Sequence, residues 1–189
     1  MIQEVIITTV NPQGVCHIAP MGVHVEADQY IILPFKPSTT LENMLATGHA
    51  VINYCDDVRI FAGCLTGHRD WPLLSAEIIP GQYLSAALAH SELSLERVED
   101  DEIRPRLFCR RLHTVSHRPF QGFNRAQYAV LEAAILVSRL GRLPWQKIDS
   151  ELEYLRIGFE KTAGPQEHEA WGWLMQAIEH YRAHEVRDV

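Results

Sequence analysis

Lysine is scarce in this chain of 189 residues: only Lys36, Lys147 and Lys161 occur, and the formal net charge is −7. A general nucleic-acid binder needs Lys and Arg concentrated on its contact face, so that class is not expected. The four cysteines, Cys16, Cys55, Cys64 and Cys109, are widely spaced with no CxxC pair. A disulfide framework or a zinc knuckle is therefore not expected, and a reducing cytoplasm is the expected location. No apolar run approaches the roughly 18 residues of a membrane span, and the start Met1-Ile2-Gln3-Glu4 lacks the features of an export signal. Glycine-rich phosphate cradles are missing too: there is no GxGxxG and no GxxxxGK[ST]. No repeat or low-complexity tract is present. A bound phosphate would have to rest on hydroxyls, backbone N–H groups and arginine. Arg104, Arg106, Arg110, Arg111, Arg118 and Arg125 supply the last. Their abundance fits bidentate anion recognition, or equally the codon bias of a GC-rich genome.

The first part of the chain reads as strands. β-Branched residues crowd Val5-Ile6-Ile7-Thr8-Thr9-Val10, and Asn11-Pro12-Gln13-Gly14 has turn chemistry. A return strand follows from Val15, with an expected break at Ala19-Pro20-Met21-Gly22, and then a third strand from Gln29 to Phe35. Thr39 to Thr47 is predicted as a short helix ended by Gly48. His49 to Tyr54 returns to alternation. Asp56-Asp57 opens a turn or short helical piece carrying Ile60, Phe61 and Leu65. Leu73 to Ile79, Leu84 to Leu95 and Arg106 to Val115 are strand-like, although Ala86-Ala87-Leu88-Ala89 suits a helix as well. Glu99-Asp100-Asp101-Glu102 reads as a hairpin loop.

After residue 120 the periodicity becomes helical. Asn124 is an expected N-cap, with Phe123 and Tyr128 as a hydrophobic staple. A second helix carries Ile148, Leu152, Leu155 and Phe159 on one stripe, and a third runs from Pro165 to His184. The expected fold class is α+β: an antiparallel β-barrel over residues 1–120 and a C-terminal three-helix segment over 121–189.

The segment from Leu33 to Met44 joins a strand end, the hydroxyls of Ser38, Thr39 and Thr40, and a helix start. Such a terminus offers unpaired N–H groups and the positive end of the helix dipole, which suits a phosphate. A plain N-cap supported by Glu42 is the competing reading. Ala19-Pro20-Met21-Gly22 admits two readings as well, a bulge that turns a barrel corner or a place where a flat ring meets backbone. Asn53 alternates with apolar neighbours and faces either a ligand or solvent. His17 is a possible proton donor or a structural histidine. His113 and His117, with Arg111, either line an anion pocket or form a solvated face. The Cys and His spacings match no metal motif, so no metal is expected.

Asn11-Pro12-Gln13-Gly14-Val15-Cys16-His17-Ile18-Ala19-Pro20-Met21-Gly22-Val23, Leu33-Pro34-Phe35 with Ser38-Thr39-Thr40 and Asn43, Val51-Ile52-Asn53, and Phe123-Asn124-Arg125-Ala126 together closely resemble the DUF447 family of flavin-binding proteins. That family belongs to the FMN-binding split-barrel superfamily, alongside the pyridoxamine phosphate oxidases and flavin reductases. The resemblance implies a split-barrel homodimer with FMN at the subunit interface. It implies FMN contacts from Ala19, Pro20, Met21, Gly22 and Phe35, and a phosphate site at Ser38, Thr39, Thr40 and Asn43. It also implies a flavin or ribityl contact from Asn53 and a phosphate-facing cation, Arg125, with Arg110 and Arg111 as alternatives. The implied activity is that of an FMN-dependent oxidoreductase acting on a small substrate or cofactor, within methanopterin-linked one-carbon metabolism. A flavin-binding protein without turnover is the alternative. No residue stands out as catalytic, and neither substrate nor electron donor is named by the sequence.

Overall fold

A computed structural model describes residues 1–26 and 29–185. The chain divides into two compact units, Met1–Asp56 with Asp70–Phe120, and Asp57–Arg69 with the chain from Gln121 onward.

The first unit is built on β1 (Ile2–Val10), β2 (Cys16–Glu26), β3 (Gln29–Ile32), α1 (Thr39–Thr47), β4 (His49–Tyr54), the hairpin strands β5 (Leu73–Ser75) and β6 (Gln82–Leu84), β7 (Ala89–Glu99) and β8 (Arg106–Ser116). Six strands close into an antiparallel barrel in the order β1-β2-β3-β8-β7-β4. The Asn11 side chain holds the first turn by accepting the N–H groups of Gln13 and Val15, at 3.0 and 2.9 Å, while Gly14 takes the left-handed φ of 81° that the turn requires.

Val5, Ile7, Val23, Tyr30, Ile32, Ala50, Ile52, Leu93, Leu107 and Cys109 fill the barrel, as two-residue alternation dictates. Helix α1 adds Leu41 and Met44 to this core. Burying each contributes on the order of 2 kcal/mol. The outward side of β1 and β4 is also covered: Ile6, Thr8 and Asn53 are buried, and Thr8 Oγ1 donates to the Gln82 carbonyl at 2.5 Å.

The expected strands Leu73 to Ile79 and Leu84 to Leu95 become Leu73–Ser75, Gln82–Leu84 and Ala89–Glu99, and two further changes bear on the site. The return strand has no break: β2 runs unbroken through Ala19-Pro20-Met21-Gly22, in continuous register with Ile7, Ile6, Val5 and Glu4 of β1. The third strand is shorter than expected and ends at Ile32, which leaves Leu33 to Pro37 as a loop.

The second unit holds α2 (Val58–Thr66), α3 (Arg125–Val137), α4 (Trp145–Thr162) and α5 (Pro165–Glu185). Ile148, Leu152, Leu155 and Phe159 of α4 meet Ala126, Ala129, Val130 and Ala133 of α3 and Trp171, Leu174 and Ile178 of α5 in one core. Helix α2, read from sequence as part of the barrel segment, packs Val58 and Ala62 into this same core. Asn124 caps α3 by accepting the Ala126 N–H at 2.7 Å. The expected staple is absent, because Phe123 is 100% exposed. No helix among the described residues is long and apolar enough to cross a membrane.

Candidate functional site

Strand β3 is short, and its neighbours β2 and β8 outrun it at opposite ends. It pairs with β2 only at Val23–Glu26 and with β8 only at Leu107–Arg110. Beyond those registers β2 is paired with β1 alone over Cys16–Gly22, and β8 with β7 alone over Arg111–Ser116. The two stretches lie at opposite ends of β3: Cys16–Gly22 continue past its Ile32 end and Arg111–Ser116 past its Gln29 end, each without a β3 ladder partner among the described residues. Ala19, Pro20, Met21 and Gly22 all lie on the β2 edge. A break was expected to free the backbone groups there; the cause is instead the length of β3. Met21 packs against the barrel core. Gly22 lies against β1: a Cβ at this position would approach Ile2 Cγ2 to 3.0 Å and Glu4 Oε1 to 3.2 Å.

Polar groups cluster along β8 and its neighbours, and of these Tyr30, Tyr54, Ser91 and Thr114 were not singled out from the sequence. Arg111 Nη1 donates to the Tyr30 hydroxyl at 3.3 Å, Tyr54 and Ser91 hydroxyls lie 3.4 Å apart, and Ser91 Oγ and Thr114 Oγ1 are 2.7 Å apart. Burial pushes the Tyr54 phenol up to about 12, with opposing help from Ser91 and a further rise from Tyr30, so it stays a neutral hydroxyl at physiological pH. A bulge explains why Arg111 and His113 do not share a pocket. The register passes from Glu92↔His113 to Leu93↔Arg111, and the extra residue, Leu112, breaks the alternation. Arg111 turns to Tyr30, whereas His113 Nε2 lies 3.2 Å from Glu77 Oε2.

The expected phosphate segment forms an N-cap, and part of it turns inward. Ser38 Oγ accepts the Leu41 N–H at 3.3 Å, and its backbone is extended as a cap requires. The hydroxyl proton of Ser38 remains available for donation, Thr39 is exposed, and the first-turn N–H groups lie outside the intrahelical ladder. Thr40 and Asn43 sit on the buried face of α1. Asn43 is corrected: its Nδ2 donates to Thr9 Oγ1 of β1 at 3.1 Å, which ties the helix to the barrel instead of reaching back over the first turn.

Asn53 is corrected as well. It is fully buried, its Nδ2 lies within hydrogen-bond reach of the Ile6 carbonyl and Thr8 Oγ1, and its Oδ1 accepts the Leu84 N–H at 2.7 Å. With its nitrogen and its oxygen both engaged, the buried amide braces β1, β4 and β6.

Phe35 is half exposed, and the Arg104 guanidinium lies 4.6 Å from its ring centroid while its Nη2 donates to the Leu33 carbonyl at 2.9 Å. Arg104, which sequence reasoning did not single out for this loop, thus braces it. Lys36 pairs with Asp100 at 2.9 Å, and Arg110 with Glu96 at 2.7 Å. Arg125 is exposed at the start of α3, in the other compact unit from Ser38. His17 sits inside β2, opposite Thr9.

A cleft of about 520 Å³ lies between the Asn11–Gly14 turn, Ala46 and Thr47 at the C-terminal end of α1, and Pro80–Gln82. Its size suits a small molecule. None of the residues expected to contact flavin lines it. Among the described residues no group of three or more His, Cys, Asp or Glu side chains is placed to hold a metal ion.

A six-stranded closed antiparallel barrel accompanied by helices is the FMN-binding type of split barrel. Residues 3–118 match the family described as "Protein of unknown function (DUF447) N-terminal domain", and residues 124–176 match "Protein of unknown function (DUF447)"; the chain belongs to this DUF447 family. Among solved structures, the fold is similar to that of an FMN-bound DUF447 protein from Methanosarcina mazei, at 20% identity and a TM-score of 0.78, covering 93% of this chain and 94% of that one. A 2-nitrobenzoate 2-nitroreductase from Pseudomonas fluorescens aligns over 60% of this chain and 64% of its own, at 20% identity and a TM-score of 0.52. A split-barrel protein from Shewanella frigidimarina aligns over 66% of this chain and 74% of its own, at 14% identity and a TM-score of 0.54.

Proposed function

We propose that the protein binds FMN and uses it as an oxidoreductase on a small substrate or second cofactor. The observation that carries this reading is likeness along 93% of the chain to an FMN-bound protein of the same family. The open β2 edge supports it, since free backbone donors and acceptors can address the polar rim of an isoalloxazine beside Met21. Ser38 and Thr39, with the first-turn N–H groups of α1, would hold the phosphate. Phe35 would lie beside it, braced by Arg104.

FMN supplies the electron chemistry, and the protein supplies orientation and electrostatics. The residues proposed for the ring and the phosphate lie on open edges and an exposed helix start, not in the one cleft described. A site shared between two protomers, half-built in each, accounts for that, so the functional unit is a homodimer. Arg125 belongs to the same proposal, as a cation for the phosphate. A cytoplasmic location follows from cofactor chemistry of this kind.

The test is anaerobic. FMN-loaded dimer should bleach with a dihydronicotinamide and recover on addition of an acceptor, and a methanopterin-type pterin belongs in the acceptor panel. Loaded protein that bleaches with dithionite but with no biological donor would assign it to flavin binding without turnover.

A further inference from the structure

Outside the proposed flavin contacts, β7 carries two buried ionisable side chains, Glu92 and His90, linked to a third, His117, beyond the end of β8. Glu92 and His90 are both fully buried. The Glu92 carboxylate accepts three backbone N–H groups, from Glu77 at 2.7 Å on Oε1 and from Ile78 and Ile79 at 2.8 Å on Oε2. His90 Nε2 lies 3.4 Å from Glu92 Oε1, and His90 Nδ1 lies 2.9 Å from His117 Nε2. The Tyr83 ring stacks on both imidazoles, with centroids at 4.1 and 4.9 Å. His117 is exposed, one residue past the end of β8.

The proton positions follow from the donors. Burial pushes the Glu92 carboxyl up, but the N–H groups of Glu77, Ile79 and Ile78, together with His90, outweigh it and hold the group low. An ionised carboxylate only accepts, so His90 Nε2 carries the proton toward Glu92. Burial holds His90 below the ordinary histidine value and keeps it neutral, which leaves a lone pair on Nδ1. His117 Nε2–H donates to that lone pair, so neutral His117 presents Nδ1 outward. The charged groups around His90 are Glu92, Glu77 and His117, and His113 pairs with Glu77.

We propose that Glu92, His90 and His117 form a proton relay that ends at His117 Nδ1, with His117 exchanging the proton and Glu92 and His90 as positioning residues. The reaction it serves rests on the flavin reading above. A dihydronicotinamide gives up a hydride, two electrons and one proton, and becomes a nicotinamide cation. Completing the reduction of an acceptor to its dihydro form takes one more proton. The Nδ1–H bond of protonated His117 breaks, the new X–H bond forms on the acceptor side, and solvent reprotonates the ring. During the interval in which His117 is cationic, the His90 lone pair and the Glu92 charge lie in line behind it. Anchoring the Glu77–Ile79 segment would need Glu92 alone; the His90–His117 contact and the shared Tyr83 stack go beyond that role.

Two measurements test it. In protein labelled with 15N-histidine and free of flavin, long-range proton–nitrogen NMR between about pH 6 and 9 should find His90 neutral as the Nε2–H tautomer and His117 protonated on Nε2 throughout. His90 in the Nδ1–H form would overturn the relay. In FMN-loaded protein, His117→Ala should slow reoxidation of the reduced flavin by a quinone, the step that takes up the extra proton, about 100-fold near neutral pH, with partial recovery in added imidazole. An unchanged rate and pH profile would overturn it. His90→Gln should reproduce the loss without recovery, and a full rate in that variant would also contradict the relay. A protein that takes up no FMN defeats the flavin reading, while the NMR result still decides the relay.

Discussion

The Asn53 side-chain oxygen accepts the Leu84 N–H at 2.7 Å, across the outer face of the barrel. Asn53 is thus a buried brace among three strands, and its removal leaves the Leu84 donor unpaired away from water. Asn53→Ala should lower the free energy of unfolding by about 2–3 kcal/mol, read from urea denaturation. Flavin affinity of the folded fraction should not change. A large loss of affinity with little loss of stability would return Asn53 to the ligand.

Ser38 combines a cap with the proposed phosphate contact. Replacing both hydroxyls, Ser38→Ala with Thr39→Val, should weaken FMN binding at least about tenfold, since bonds to a charged phosphate are lost. The cap contribution alone would appear as about 1 kcal/mol of stability with affinity intact.

Acid should destabilise the barrel in two stages. His90 and Glu92 both titrate lower in the folded state than their ordinary values of 6.5 and 4.5. The unfolded chain therefore takes up protons first as pH falls, and stability declines below about pH 6.5 through His90 and again below about 4.5 through Glu92. His90→Gln should flatten the first decline in pH-dependent denaturation curves, and a curve with the wild-type slope would contradict the buried neutral histidine.

Thiol reactivity offers a check on the cores. Burial pushes Cys16 and Cys64 up to about 11 and Cys109 up to about 12. These three should react with a disulfide reagent at pH 8 only on unfolding, because almost none is thiolate. Rapid labelling of Cys109 in the native protein would mean that the barrel core opens.

The elements with local signals were legible in the sequence. Helix α1 runs from Thr39 to Thr47 and stops at Gly48 with φ of 75°, as the hydroxyl start and glycine end indicate. The stripe Ile148, Leu152, Leu155 and Phe159 marks the buried face of α4. What depends on register was hidden. Strands β2 and β8 outrun β3 because it pairs over only four residues on each side, and strand length at a sheet edge leaves no mark in alternation. Asn53 looked like a ligand residue because the covering of its face by Leu84 comes from a hairpin distant in sequence. Arg111 and His113 looked aligned until the bulge at Leu112 turned them apart. Glu92 was readable only as a charge in a strand, since the three N–H groups that hold it belong to an irregular segment.

The account centres on FMN held through its phosphate, and an equilibrium titration of flavin fluorescence with FMN and riboflavin in parallel tests this most directly. The expected result is FMN bound with a Kd of about 1 μM or below, and riboflavin at least about tenfold weaker. No quenching by FMN, or equal affinity for the two flavins, would contradict it.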